Sequence, residues 1–166
     1  MARRVAASIG VPFVELDSIY HQAGWTPLPD GQFRSRVLEL ANMPGWAVCG
    51  NYRAVADILV DRADTLVVFD LPKRVVMGRV VRRTFQRAAL RTELWNGNKE
   101  RWRSILSRDP QTSIILWAWT THGRKHDEML RLIAAPPSDD LRLVHIASLA
   151  DERLFYAGLC RPTVSS

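Results

Sequence analysis

Short apolar runs alternate with longer stretches of helical periodicity along this chain of 166 residues. The apolar runs have the length of buried strands and fall at residues 13–16, 46–49, 65–70 and 141–146. The helical patterns fall at residues 2–9, 31–42, 53–62, 73–90, 99–107, 111–133 and 151–158. This alternation of strand and helix predicts an α/β fold, with a parallel sheet covered by helices on both faces.

Several residues mark the ends of these elements. Gly10 is predicted to end the first helix, because glycine adopts the left-handed conformation of a helix stop. The carboxylate of Asp30 is predicted to cap the helix that begins at residue 31. Pro44 and Gly45 break that helix, and Pro72 lies at a helix start, where its missing N–H is harmless.

Length and composition indicate one domain, spanning residues 1–160, followed by a frayed tail at residues 161–166. No apolar run is long enough to span a bilayer, and no secretory signal is recognisable at the N-terminus, so we expect a cytoplasmic protein. Cys49 and Cys160 lie far apart without metal-ligand spacing, which favours two reduced thiols.

Histidine and tryptophan positions allow further expectations. His122 and His126 are spaced as i and i+4, and we interpret them as part of a solvated helix end rather than a metal site. Three tryptophans are predicted to lie in the core: Trp46, Trp117 and Trp119. Trp25 and Trp95 lie on predicted loops, where each either lines a ligand pocket or pins its loop. The turn-forming sequence WNGN, residues 95–98, is predicted to be structural.

The net charge of +6 is concentrated in one stretch. Residues 73–108 contain eleven Lys or Arg residues against only Glu93 and Glu100. Within the helix predicted at residues 73–90, one side is apolar: Val76, Val80, Thr84 and Ala88, with Met77, Val81 and Phe85 beside them. The other side is cationic: Arg79, Arg82, Arg83 and Arg87. The cationic side is either a solvated surface or a clamp for a polyphosphate, since guanidinium groups make forked contacts with phosphate.

Four segments resemble the adenylate-kinase-like P-loop proteins that are often labelled DNA topology modulation proteins. They read PFVELDSIYHQAGWTPLPDGQF, WAVCGNYR, ADTLVVFDLP and RTELWNGNKERWRSILSRDPQTSIILWAW. The resemblance covers residues 1–147 and implies a parallel sheet flanked by helices with an arginine-rich lid at about residues 91–110. It also implies an ATP-dependent kinase of nucleosides or other small molecules, with ATP and Mg²⁺ as cofactors.

The resemblance also implies roles for individual residues. Asp17 corresponds to an acidic contact with the phosphate acceptor, and Arg53 corresponds to the arginine that holds this acceptor. The acceptor site inferred from the resemblance comprises four residues: Asp17, Trp25, Asn51 and Arg53. The clamp on the ATP phosphates comprises four arginines: Arg79, Arg83, Arg101 and Arg108. No catalytic residue and no protein ligand of a metal is assigned.

Two departures from the family pattern change the functional expectation. The sequence contains no GxxxxGK[ST] phosphate loop, and the strand that precedes it in relatives would lie between residues 46–49 and 65–70. Cys49 stands where the family carries an acidic residue that supports the magnesium shell, and a thiol is a poor ligand for Mg²⁺. We therefore expect a truncated P-loop protein, with a misassigned start codon, that lacks kinase activity as given.

Three functions compete at this point. The first is a small-molecule kinase whose partners are a nucleotide and a small phosphate acceptor, complete only with an upstream segment. The second is a gene fragment without independent function. The third, and least favoured, is a non-catalytic protein that binds nucleic acid or another polyanion through its basic stretch, as a pI near 10.0 allows. No membrane partner is expected.

Overall fold

The computed structural model describes residues 2–99, 109, 113–138 and 140–159. Within them, seven α-helices and four β-strands follow one another as α1 (Ala2–Ile9), β1 (Phe13–Glu15), α2 (Leu16–Tyr20), α3 (Asp30–Ala41), β2 (Ala47–Cys49), α4 (Arg53–Arg62), β3 (Thr65–Phe69), α5 (Lys73–Ala89), α6 (Ile114–Ala134), β4 (Arg142–Ile146) and α7 (Leu149–Leu159). Two single turns of 3₁₀-helix lie at Ala23–Trp25 and Trp95–Gly97. The predicted α/β class is confirmed.

The described strands form two separate parallel pairs. β1 runs beside β2 with Glu15 opposite Cys49, and β3 runs beside β4 with Phe69 opposite Ile146. In the described part of the chain no ladder joins β2 to β3, so the single continuous sheet that the alternation predicted is absent there. The division falls between β2 and β3.

The main hydrophobic core lies where α2, α3 and α4 meet. Its fully or almost fully buried members are Leu16, Leu28, Phe33, Val37 and Val55. α3 contributes Phe33 and Val37 because residues four apart lie on one helix face. The ring of Phe33 packs against Tyr20 and Tyr52, with centroid distances of 5.2 Å to each. This core therefore fixes the position of Tyr52 at the start of α4.

The predicted two-sided character of α5 is largely confirmed. Thr84 and Ala88 are buried on its inner side, where α5 packs against α6. Arg82 and Arg83 are exposed on the other side. Phe85, which the helical pattern placed beside the core, is 44% exposed. The apolar stripe of α5 is therefore narrower than the pattern predicted.

Two predicted element boundaries are wrong. Asp30 is the first residue of α3 rather than its cap, because Pro29 occupies the cap position and no side chain caps the helix there. Its carboxylate still lies in the first turn, where a negative charge is favourable. Leu16 begins α2 instead of ending a strand, and its side chain is fully buried in the core. The predicted stop at Gly10 is confirmed by its φ of 71°.

The core prediction is also wrong for two tryptophans. Trp117 and Trp119 on α6 are 38% and 55% exposed. A lysine ammonium group lies over each ring instead. Lys125 Nζ is 4.5 Å from the centroid of Trp117, and Lys73 Nζ is 3.7 Å from that of Trp119. Such cation–π contacts let a large ring remain at the surface. Trp46 is partly buried, and its indole N–H donates to a carbonyl of α3 over 3.3 Å.

Several predictions fall outside the described residues. They concern the helix at residues 99–107, apart from its first residue, half of the lid at residues 91–110, and the tail at residues 161–166. Arg101 and Arg108 also lie there. α6 begins at Ile114, where the hydroxyl of Ser113 accepts from a backbone N–H of the first turn.

Candidate functional site

Two tight turns with similar geometry lie near the end of β1. Residues 21–27 and residues 93–99 are each closed by an antiparallel bridge around one turn of 3₁₀-helix. The first turn has left-handed backbone at Gly24 and Trp25, and the second has it at Asn96 and Gly97. Glycine and asparagine adopt this conformation with the least strain, so the WNGN sequence forms the turn that it predicted. Each turn presents one tryptophan.

The two turns are joined by asparagine side chains. Asn98 is only 4% exposed. Its side chain accepts from the backbone N–H of Trp25 over 2.9 Å and donates to the Gln22 carbonyl over 2.9 Å. The side-chain amide of Asn96 donates to the His21 carbonyl over 2.5 Å. The structural interpretation of WNGN is therefore confirmed. The contacts bring together two chain segments that are distant in sequence.

An aromatic cluster lies at the junction of the turns. The rings of Trp25 and Trp95 meet edge to face with their centroids 6.3 Å apart. The ring of His21 lies 5.3 Å from Trp25 and 6.3 Å from Trp95. The question that the sequence left open for Trp25 and Trp95 has a mixed answer. Both rings take part in loop packing, and Trp25 remains 39% exposed.

Two carboxylates lie beside this cluster at the end of β1. Glu15 accepts from the indole N–H of Trp95 over 2.6 Å. Asp17 accepts a hydrogen bond from the Tyr52 hydroxyl. Burial and the Asp17 carboxylate raise the pKa of Tyr52 above its usual range, so the phenol stays protonated as a donor. His21 Nε2 lies 3.5 Å from the same hydroxyl, while its Nδ1 is buried and has no hydrogen-bond partner among the described residues.

The backbone after β2 explains how Tyr52 reaches Asp17. Gly50 has a φ of 141°, and a Cβ there would lie 2.8 Å from the Leu16 side chain. Only glycine allows the chain to pass so close to α2. Desolvation and the nearby Glu15 raise the pKa of the Cys49 thiol at this edge, so Cys49 is a protonated thiol rather than a reactive thiolate.

The structure brings together some of the residues that the resemblance assigned to the acceptor site. Asp17 and Trp25 lie in the cluster around His21. Asn51 is exposed and directly precedes Tyr52 in the chain. Arg53 begins α4, is 83% exposed, and pairs with Glu128 of α6. Its guanidinium therefore joins two helices rather than lying among the aromatic rings.

The described arginines of the predicted phosphate clamp have different surroundings. Arg79 forms a forked pair with Glu152 of α7, over 3.1 and 2.5 Å, and so already has a carboxylate in its fork. Arg83 lies on the exposed side of α5, and its charge has only a small lowering effect on the pKa of the Cys49 thiol. The guanidinium of Arg79 is thus already held by a carboxylate of the protein.

Sequence reasoning missed four residues of the site: Glu15, His21, Tyr52 and Asn98. Glu15 and Asp17 lie at the end of the first apolar run, and Tyr52 follows the second. The carboxyl ends of adjacent parallel strands lie at the same edge of a sheet. That rule could have identified Glu15 and Tyr52. Nothing in the sequence identifies the docking role of Asn98, because it depends on a contact between residues far apart in the chain.

A second cluster of titratable groups surrounds Asp70 at the end of β3. The Asp70 side chain is 9% exposed, and its two oxygens lie 2.5 Å from His126 Nδ1 and 3.5 Å from His145 Nε2. The interpretation of His122 and His126 as a solvated helix end is wrong, because α6 continues to Ala134. His126 points to a carboxylate of β3 instead.

The Asp70–His126 pair makes stability depend on pH. The hydrogen bond to Asp70 and its charge raise the pKa of His126 above its ordinary value, against the opposing effect of desolvation. The contribution of the pair is therefore complete below the unfolded pKa and lost as pH rises through the folded one. We expect the stability difference between the protein and His126→Gln to shrink from about pH 6 to about pH 9, as measured by urea unfolding.

The matched control for this pH dependence is His122→Gln. His122 faces only the Leu71 carbonyl, at 3.4 Å, and has no carboxylate among its described contacts. Its substitution should give a stability difference that is nearly constant over the same pH range. A constant difference for His126→Gln would show that the imidazolium form does not stabilise the fold.

The described residues do not fit the cofactors that the resemblance implies. No group of three or more His, Cys, Asp or Glu side chains that could hold a metal ion occurs in the described ranges. The sequence also lacks the glycine-rich loop and lysine that hold nucleotide phosphates in P-loop proteins. The described site brings together carboxylates, a phenol and aromatic rings at the end of two parallel strands.

Comparisons with known proteins complete the description of the site. In the ranges described, no helix combines the length and apolar character needed to cross a membrane. Searches against protein-family models, curated proteins and solved structures gave no significant match to this chain.

Proposed function

We propose that the carboxyl edge of β1 and β2 binds a small hydroxyl-bearing molecule, as the phosphate-acceptor half of a protein that resembles P-loop kinases. The observation that carries this proposal is the pair formed by Asp17 and Tyr52 beside the two tryptophan turns. The donor half of such a kinase requires a phosphate loop that this sequence does not contain. The chain itself is therefore proposed to bind an acceptor without transferring phosphate.

The chemistry of Asp17 supports this proposal. An ionised carboxylate accepts about four hydrogen bonds, and Tyr52 supplies one of them. The remaining lone pairs can accept from the hydroxyl of a bound molecule, which both orients that hydroxyl and favours its deprotonation.

The aromatic cluster supports a planar substrate. Trp25 is partly exposed beside His21, and Trp95 is held in place through Glu15. Large rings with few rotatable bonds bind planar ligands without losing much conformational entropy. Nucleosides combine a planar base with hydroxyl groups, and they are the ligand class that we propose.

Binding of nucleosides tests this function. The 166-residue chain is titrated with adenosine, guanosine, cytidine and thymidine by calorimetry, and separately with ATP and Mg²⁺. We expect at least one nucleoside to bind and ATP to show no saturable binding. Asp17→Asn keeps an oxygen for Tyr52 but loses the charge, so it should weaken nucleoside binding about ten-fold.

The matched control is Asp127→Asn, an exposed carboxylate on α6. It should leave nucleoside binding unchanged. Failure of all four nucleosides to bind at millimolar concentration would overturn the proposal, as would equal affinity of the Asp17→Asn variant. Saturable binding of ATP with Mg²⁺ would contradict the incomplete donor half.

A further inference from the structure

A cavity that is separate from the two tryptophan turns lies between the end of β3 and the two helices α5 and α6. Its volume is about 210 Å³. Its wall is mainly apolar and includes Phe69, Val76, Val80, Trp117 and Met129. A cavity of roughly 150 Å³ is enough to hold benzene. The space between α5 and α6 therefore fits one aromatic ring with a small substituent.

One side of this cavity carries an ammonium group. Lys125 lines the cavity, and its Nζ lies 4.5 Å from the ring centroid of Trp117. Among the described residues, no ion pair is recorded for this ammonium within 4.0 Å. The nearby carboxylate of Glu128 is already paired with Arg53. Burial lowers the pKa of Lys125, which indicates that its charge is incompletely compensated.

The acidic residue that lines the cavity, Asp70, has its charge compensated within the protein, in contrast to Lys125. Asp70 lies between His126 and His145, so its charge is not available to a ligand cation. Because His126 Nδ1 is directed to Asp70, its Nε2 is the ring nitrogen left for a ligand. The polar side of the cavity therefore offers a ligand two nitrogen groups, the Lys125 ammonium and His126 Nε2.

We propose that this cavity binds a small organic carboxylate with an aromatic or branched apolar body. The carboxylate lies against Lys125, and the apolar body packs on Trp117 and the valines of α5. The apolar wall favours a ligand with an aliphatic or aromatic body. The incompletely compensated ammonium of Lys125 favours a ligand with a single negative charge. This site is distinct from the proposed acceptor site, since neither Trp25 nor Trp95 lines it.

Three probes of graded chemistry test this proposal on the unmodified chain. Calorimetric titrations compare benzoate, the neutral isostere benzamide, and acetate, which has the charge without the ring. We expect benzoate to bind with a Kd below about 1 mM, and benzamide and acetate each to bind at least about ten-fold more weakly. Equal affinities of benzoate and benzamide would overturn the proposal. So would the absence of benzoate binding at about 10 mM.

Substitution of the ammonium provides the second test. Lys125→Met keeps the aliphatic stem and should weaken benzoate binding about ten-fold while leaving benzamide binding unchanged. Lys73→Met is the matched control, because Lys73 also lies over a tryptophan of α6 but does not line the cavity. Should Lys125→Met unfold, the probe comparison on the unmodified chain still decides. Equal loss in both variants would assign the effect to general charge.

Discussion

Phe33→Ala is expected to lower the free energy of unfolding by about 3–5 kcal/mol. Phe33 is fully buried, and its ring packs on both Tyr20 and Tyr52. Truncation removes the transfer free energy of the ring and leaves a cavity that the surrounding helices fill only in part. A domain of ordinary stability has only about 5–15 kcal/mol in total, so this variant should unfold at a much lower urea concentration.

The matched control for Phe33→Ala is Leu38→Ala on the same helix. Leu38 is 43% exposed, so its truncation should cost less than about 1 kcal/mol. A second readout separates packing from simple unfolding. Because Phe33 supports the Tyr52 ring, nucleoside binding should weaken in Phe33→Ala even at temperatures where far-UV circular dichroism shows a folded protein. Equal stability losses in the two variants would contradict the assignment of the core to α2, α3 and α4.

Arg79→Met is expected to lower the free energy of unfolding by about 2–3 kcal/mol. The side chain of Glu152 is 12% exposed and receives both arms of the Arg79 guanidinium. Loss of the arginine leaves a nearly buried carboxylate without a partner, which costs more than the exposed arginine alone would suggest. The expected loss is below that of a fully buried pair because Arg79 is 46% exposed.

A double-mutant cycle checks this pair. Glu152→Leu combined with Arg79→Met should regain most of the lost stability, because no unpaired carboxylate remains. Arg82→Met, on the exposed side of α5, should change stability by less than about 0.5 kcal/mol. A neutral effect of Arg79→Met would instead leave this arginine available for the phosphate contact that the resemblance implied.

The sequence predicted local features of the fold better than it predicted contacts. Apolar periodicity located α3, α4 and α5 to within one or two residues, because helix formation depends on nearby positions. It did not predict α2, because this helix of five residues, Leu16–Tyr20, is too short to show a helical period. The single sheet was also a wrong inference, because alternation of elements does not specify which strands pair.

The candidate site shows the same division. Asp17 and Trp25 were named from the family resemblance, and the Asn96–Gly97 turn was predicted from residue types that tolerate left-handed backbone. The docking of that turn through Asn98 and the pairing of His126 with Asp70 were not predictable. Both are contacts between distant segments, and one sequence without an alignment carries no signal for them.

The division into two strand pairs has a consequence for the order of folding. In the described part of the chain each strand has one partner, and a parallel pair joins segments that are distant in sequence. A two-stranded sheet is marginal in water by itself. α3 and α4 together bury five side chains, whereas β1 and β2 bury none. We therefore expect the packing of α3 against α4 to precede the pairing of β1 with β2 in folding, and this strand pair to lose its order early in unfolding.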